Sequence, residues 1–486
     1  MREINRLLLL ALVLTGTITV GAKVKSVTIR GYVTNVTSPT QFEIEDYRIT
    51  RDSSFILDFE NASPELQFKP EDIRVGVELA IKGTFNDETN ELKATSIKVD
   101  MEQFKKQKQT AILARAPEGV ERTNDGWSGT FFVDGQRIRI TPATQVVFQL
   151  TKREKGLAKA QSRKPTKGED GILFRPLASL TEVTVGAAMT YEGARDIHDG
   201  EIVAERVEFA HNDLEVGEKQ MWDSLKMTTR PFLAASLTPG ELNIRNVGKF
   251  KVLPDQETQD YVSQLGYRLV PKYQLDLDDG DPAKIPFKFF VVQDKVPNAF
   301  ALPNGIVVIH SAMFDVVQNE AQFAAVVGHE ISHAVQEHTW RQQQHQKVAR
   351  TALAIGAAFA AAYGQNALRD TLQLVQGAIQ NGYARNLENQ ADRLGLEYMV
   401  AAGYDPREAP RVWKEMTNKL GDAPTDFFWS NHDNNATRRS YLMNELKNNY
   451  ADLDYSALRT DEKPFKAIAD KVRLAQDRKI KVKVTH

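Results

Sequence analysis

The string Gly328-His329-Glu330-Ile331-Ser332-His333 holds the residue types that hydrolytic metal chemistry needs, at a usable spacing. It continues the apolar run Ala324 to Val327, and the stretch reads as one helix. Residues four apart on a helix differ by about 40° around its axis, so both imidazoles leave one face, one turn apart. Two nitrogens placed this way suit a tetrahedral zinc ion. Glu330 stands one step round from His329, able to reach a water on the metal without being a ligand. Zinc would acidify that water and polarise a scissile carbonyl, while Glu330 takes and returns the proton. The pattern is that of a zinc peptidase holding one Zn2+ per chain.

A catalytic zinc keeps three protein ligands and one open position. Downstream, Arg385 to Asp392 reads as a second helix with Glu388 and Asp392 one turn apart on one face. Glu388 is the candidate third ligand. Asp392 is placed with Glu330 among the catalytic groups, as an acid that orients a ligand histidine through its other ring nitrogen. His338 lies five residues beyond His333 and, on a continuing helix, would point about 140° away, so it is read as structural.

Several elements must position these groups. The 486-residue chain is long enough for two to four domains, and its 42% hydrophobic and 26% charged content is that of globular protein. With 62 basic and 64 acidic residues the net charge is −2, too weak a field to recruit nucleic acid. There is no cysteine, which excludes thiol catalysis and thiolate zinc sites and leaves His, Asp and Glu as ligands. Arg2 and Arg6, the apolar Leu7 to Val13 and the small-residue end Val20-Gly21-Ala22 make a signal peptide over residues 1–22, cleaved before Lys23. That predicts export, to a periplasmic or extracellular site. The competing reading is an uncleaved anchor.

From Lys25 to Asn212 the chain alternates and is rich in Val, Ile, Thr and Phe. It repeats itself: Val75-Gly76, Gly83, Leu92, Ala94, Ile97 and Val99 recur as Val185-Gly186, Gly193, Ile202, Ala204, Val207 and Phe209, each 110 residues later. Upstream, Phe42 to Ile44 and Arg48-Ile49 match Phe131 to Val133 and Arg137-Ile138. This predicts two small all-β barrels, similar to OB-like modules, over residues 23–102 and 103–212. The second carries a basic insertion, Thr151 to Asp170, expected as an exposed loop. No aromatic residues interleave its charges, so no nucleic-acid partner is expected. A connector over 213–251 leads to a mainly α domain over 252–450, with a tail over 451–486. Ala352 to Tyr363 is apolar but too short to cross a bilayer, and reads as a buried helix or one dipping into a membrane surface.

Four ordered segments between about Asp255 and Leu442 resemble the HtpX/BepA family of gluzincin zinc metallopeptidases. Val296 to Gly305 (V-P-N-A-F-A-L-P-N-G) resembles the family's N-A-F-A-x-P-G-G edge strand. His329 to His333, extended to His338, resembles its zinc helix. Arg385, Glu388, Ala391 and Asp392 resemble its R-x-x-E-x-E-A-D helix, and His432 with Arg438 its late H-x(5)-R segment. The resemblance implies an α+β zincin-type domain with Glu388 as third ligand. It puts Asn298, Ala299 and Phe300 beside an extended substrate that pairs with the edge strand. Arg438 would hold the site together through Glu388 or Asp392. His432 would either approach the zinc as a fourth ligand that plugs the site or act on the substrate side. Two departures are visible: Gln390 stands where the motif has an acid, and Asn431-His432-Asp433 lacks a following proline.

These features predict an exported endopeptidase acting on extended or unfolded polypeptides in envelope protein quality control. The β-barrels would supply contact with an envelope protein, and a peripheral membrane contact is compatible with the N-terminus. The alternative is a plugged or chaperone-like peptide-binding protein with a largely inactive zinc site.

Overall fold

The computed structural model describes residues 24–482 apart from 45–46, 65, 152, 157–164, 169–171, 213, 215, 231–239, 345–376, 378–382 and 421–434. The predicted signal peptide, most of the basic insertion, the apolar stretch Ala352 to Tyr363 and His432 therefore lie outside the described residues.

The first β unit is a closed five-stranded barrel. Strands β1 (Val24–Ser38), β2 (Gln41–Ile44), β3 (Tyr47–Glu60), β4 (Glu78–Asn86) and β5 (Glu91–Asp100) join in the order β1-β2-β3-β5-β4 and back to β1. Period-two alternation puts Leu79, Ile81, Leu92, Ala94, Ile97 and Val99 in its core and their neighbours outside. Closure removes sheet edges, except where β3 runs on past β2.

The second unit has strands β6 (Gln107–Ile112), β7 (Val120–Arg122), β8 (Trp127–Val133), β9 (Gln136–Ile140), β10 (Gln145–Gln149), β11 (Thr166–Lys167), β12 (Leu173–Pro176), β13 (Ala188–Arg195) and β14 (Ile202–Ala210). The repeat is structural as well as sequential. The β4–β5 ladder slips by one residue between Lys82 and Gly83, and the β13–β14 ladder slips between Glu192 and Gly193. A Cβ on Gly83 would meet the Lys93 carbonyl at 2.2 Å, and one on Gly193 the Val203 carbonyl at 2.3 Å. Only glycine fits at either bulge. The second unit does not close as the expected barrel. The counterpart of β1 is split into β6 and β7 by a segment holding Pro117 and Gly119, so the strands form a nine-stranded sheet rather than a closed ring.

The rest of the chain is mixed α and β. The segment expected as a connector folds into a helix, Val216–Ser224, and three antiparallel strands, β15 (Met227–Arg230), β16 (Glu241–Ile244) and β17 (Gly248–Lys251). These share a core with one face of a second small sheet of β18 (Lys288–Val292), β19 (Ala299–Ala301) and β20 (Ile306–His310), ordered β18-β20-β19. The other face of that sheet packs on the helices Gln256–Leu269 and Glu320–Val335. Among the described residues the remaining helices are led by Arg385–Ala401, Glu408–Leu420, Asn435–Asn449 and Glu462–Val482. The last of these corrects the expected tail: Phe465, Ile468, Ala469 and Val472 are buried in the main core, with Phe465 stacked on Phe314 at 5.7 Å. Among the described residues no helix is long and apolar enough to cross a membrane.

Candidate metal centre

Three helices carry the site: a histidine helix, a glutamate helix and an arginine helix. The histidine helix, Glu320–Val335, starts where the Asn319 side chain accepts from the Gln322 amide, satisfying one free donor of the first turn. The glutamate helix, Arg385–Ala401, crosses it where Gly328 and Gly395 meet. A Cβ on Gly395 would lie 3.3 Å from the His329 amide nitrogen, so small residues set the close approach. That approach brings Glu388 and Asp392 against His329 and His333. The arginine helix, Asn435–Asn449, adds Arg438, whose guanidinium lies 3.7 Å over the Trp413 ring.

One ligand atom each from His329, His333 and Glu388 lie within 4.8 Å of one another. The two Nε2 atoms are 3.0 Å apart, and Glu388 oxygens stand 3.4 Å from His329 Nε2 and 3.9 Å from His333 Nε2. All three side chains are buried. Two neutral imidazoles and a carboxylate are the donor set of a hydrolytic zinc site, and this cluster fits such an ion.

Hydrogen bonds outside the cluster fix which nitrogen of each ring faces inward. His329 Nδ1 is 3.0 Å from Asp392 Oδ1, and a carboxylate accepts, so Nδ1 carries the proton and Nε2 turns its lone pair to the centre. Arg438 Nε donates to Asp392 Oδ2 at 2.9 Å, and Arg438 Nη1 lies 3.8 Å from Glu388. Burial raises Asp392, but Arg438 and His329 outweigh it and hold the carboxyl below its ordinary value. Burial also disfavours charge on His329, yet Asp392 and Glu388 outweigh burial and Arg438, so without a metal the ring is raised to about 9. A metal bound there would take the place of that proton on Nε2.

On the other side a relay of four groups runs outward. The Thr110 carbonyl can only accept, so Gln390 turns its Nε2 to it at 3.1 Å and its Oε1 to His338 Nε2 at 3.0 Å. Burial pushes His338 down to about 3, so the ring is neutral and its Nδ1 bare. His333 Nδ1, 2.7 Å away, is therefore the donor, leaving His333 Nε2 to face the centre. A continuing helix would have turned His338 away from the cluster. The helix instead ends at Val335, and Glu337 adopts φ +56°, which swings His338 back beside His333. No residue type signals that turn, because a left-handed glutamate is set by tertiary packing.

Glu330 is buried next to the cluster. Its Oε2 accepts from the Ala301 amide at 3.0 Å, and its Oε1 has no hydrogen-bond partner among the described residues. Burial pushes the carboxyl up to about 8, with Glu388 adding and His329 opposing. The His310 amide bonds Asn298 O and the Leu302 amide bonds Ile306 O, both at 2.8 Å, so alternate residues of β19 turn their amides away from β20. Ala301 is one of these. Of the residues expected beside substrate, Asn298, Ala299 and Phe300 all lie on or next to β19. The Phe300 ring, however, joins the core on the face away from the histidine helix.

Both β units touch the helices that carry the site. Ile112 donates to Gln336 Oε1 at 2.8 Å and accepts from Gln336 Nε2 at 3.1 Å, so one side chain pairs with the end of β6 like a short strand. Arg341 also donates to the Thr110 carbonyl, and Arg393 Nη2 meets Asp134 Oδ2 at 2.9 Å. The barrel meets the arginine helix, where the Tyr32 amide donates to Ser440 Oγ at 2.9 Å.

Comparison with known proteins agrees with this arrangement. Residues 257–446 match peptidase family M48, and residues 30–98 match a domain of unknown function, DUF5666. The beta-barrel assembly-enhancing protease of Escherichia coli strain K12 is 32% identical over 189 residues, 37% of this chain and 37% of that protein. The mitochondrial metalloendopeptidase OMA1 of Arabidopsis thaliana is 30% identical over 159 residues, 32% of this chain and 31% of its own length. The Saccharomyces cerevisiae protein of that name is 31% identical over 136 residues, 28% of this chain and 38% of its own length. The chain thus spans little more than a third of the relatives it matches. Within that span the sequence match and the paired helices coincide: residues 257–446 form a peptidase family M48 domain.

Proposed function

We propose that this chain is an exported zinc-dependent endopeptidase that cuts extended segments of unfolded or misassembled polypeptides. The observation that carries the reading is the convergence of His329, His333 and Glu388 within 4.8 Å, beside a buried Glu330 that touches an edge strand. Bound there, zinc would supply an acidified water and a Lewis acid for the scissile carbonyl. The chain's own residues do the rest. Asp392 and His338 hold the two imidazoles with their lone pairs inward. Arg438 fixes Asp392 and lies near Glu388, countering buried negative charge. Glu330, raised by burial, is matched to accepting a proton and passing it to the leaving amine near neutral pH. Strand β19 offers main-chain groups on the side of Glu330, which suits an extended peptide more than a folded surface.

Export is read from residues 1–22 and places the enzyme in an envelope or outside it. The Escherichia coli relative is named for beta-barrel assembly, so β-barrel proteins caught during assembly are the first natural substrates to try. The chaperone-like alternative draws on one feature: His329, Glu330, His333 and Glu388 are 1–3% exposed, and Ala299 to Ala301 are buried as well. A closed site of this kind must open before it can cut.

The test uses purified residues 23–486 with zinc analysis and casein cleavage, beside Glu330→Gln and a chelated sample. One zinc per chain, with cleavage lost in both controls, supports the peptidase. Zinc without cleavage, unchanged in His432→Ala, favours the binding role. Absence of zinc binding refutes the metal centre.

A further inference from the structure

The two β units also differ at the edge beyond β10, and each shows there what the other lacks. Upstream counterparts lie 89 residues apart, as Ile49 and Ile138 do, whereas downstream counterparts lie 110 apart, as Leu79 and Met189 do. The extra residues fall after β10 and give the chain room to double back. There β12 lies antiparallel against β10, with Arg175 opposite Phe148. Leu150 donates to Leu173 O at 2.8 Å, and Leu177 donates to Val146 O at 3.1 Å. Under that cover Phe148 is 2% exposed, and the Arg175 guanidinium lies 5.1 Å from its ring centre.

In the first unit the chain passes from Glu60 to the short 3-10 turn at Pro70–Asp72 without doubling back. Residues Ile56–Glu60 of β3 pair with β5 on one side, and among the described residues no strand pairs with them on the other. Phe59, the counterpart of Phe148, is 42% exposed, and Ile56 is 59% exposed. By the same register Leu57, Phe59 and Asn61 correspond to Val146, Phe148 and Leu150, whose main chains carry the ladder to β12. An open apolar strand edge is a template for another strand, and natural edges are usually blunted by lysine, proline or a bulge. Ile56 to Glu60 contains neither lysine nor proline and pairs with Ser96 to Asp100 without a shift; the irregularity of β3, between Arg51 and Ile56, comes before it.

We propose that the open edge of β3, Ile56–Glu60, binds an extended segment of unfolded polypeptide as an added antiparallel strand. The favoured segment alternates apolar residues with a basic residue set opposite Phe59, as β12 does opposite Phe148. Asp58 and Glu60 project from the other face of the strand and give the edge its acidic charge. A second copy of this chain is a poorer occupant, because edge-to-edge pairing would set the acidic groups of two chains side by side. The surface belongs to the barrel rather than the metal centre, and binding there needs no peptide cleavage.

The probe is a fluorescein-labelled peptide copying Ile172 to Ala178, titrated by anisotropy into residues 23–486 carrying Glu330→Gln. Saturable binding is expected, weakened at least tenfold by Phe59→Lys in the protein. A peptide N-methylated at its arginine amide should lose a similar factor, and that control leaves the protein unaltered. Binding insensitive to both changes would place the peptide elsewhere and overturn the proposal, as would absence of binding. A dimer in sedimentation that Phe59→Lys dissociates and the peptide does not would assign the edge to a second copy and overturn it too. Casein cleavage by Phe59→Lys in the Glu330-intact chain reads the peptidase separately from this surface.

Discussion

Replacing Gln390 with leucine breaks the relay from Thr110 to His333 at its middle link. The His338 Nε2–H, 0% exposed, loses its acceptor, which costs about 1–3 kcal/mol for a buried donor left unpaired. The Thr110 carbonyl keeps Arg341, so the second lost bond costs only about 1 kcal/mol. The sum, about 2–4 kcal/mol of stability, is expected in urea unfolding of the metal-free chain. His338 also ceases to hold His333, and zinc affinity should fall roughly 10- to 100-fold, the usual effect of losing a partner behind a ligand. Competition against a chromophoric chelator measures it. Gln390→Glu keeps an oxygen for His338 and gives up the amide donor to Thr110. It should therefore hold zinc within about threefold of the parent while still losing about 1 kcal/mol or more of stability. If the leucine variant binds zinc as tightly as the parent, His338 is not oriented by Gln390 and the relay has no role in the metal centre.

Glu330→Gln should retain zinc and lose cleavage by about 10²- to 10⁴-fold, read by metal analysis and casein turnover. Arg438→Ala leaves Asp392 and its neighbours buried without their cation and should destabilise the domain by about 3–5 kcal/mol in urea unfolding. A pH effect follows from His338, which burial holds at about 3 when folded against an ordinary 6.5. The unfolded chain binds the extra proton between those values. The stability carried by the neutral ring is thus complete above pH 6.5 and drains as pH falls towards 3, by about 1.4 kcal/mol per unit. Metal-free His338→Asn should show a slope smaller by about that amount between pH 6 and 4, and an unchanged slope would contradict the assignment. Gly83→Ala and Gly193→Ala each drive a methyl into a backbone carbonyl and should lower the thermal midpoint, whereas Gly156→Ala, with open space around it, should not.

Much of the domain's layout could be read before the fold was seen, because helical spacing alone places His329 with His333 and Glu388 with Asp392. What spacing cannot give is the distance between the two pairs. That depends on Gly328 facing Gly395, a contact between residues far apart in sequence. Gln390 stood out as a departure from the family motif, but its role rests on Thr110, a strand residue of another unit. The helix Glu462–Val482 did carry a signal: Phe465, Ile468, Ala469 and Val472 recur at i, i+3, i+4 and i+7. Charged residues such as Lys463, Lys466, Asp470, Lys471 and Arg473 set between narrow apolar positions hid it. The 110-residue repeat was legible because both bulges demand glycine. The splitting of the second ring was not, since Pro117 interrupts a strand without revealing which partner it loses.

The contact between Glu330 and Ala301 sets a condition on turnover. In the free protein Glu330, the proposed general base, accepts from an amide that an incoming strand would claim for its own carbonyl. Peptide and carboxylate would compete for one proton donor, so a chain docking along β19 would also free that base. On the proposed reading the site would then be idle by default and armed by its substrate. A small compound that reaches the metal centre without lying along the strand would leave the base parked, and should be turned over poorly whatever its intrinsic reactivity.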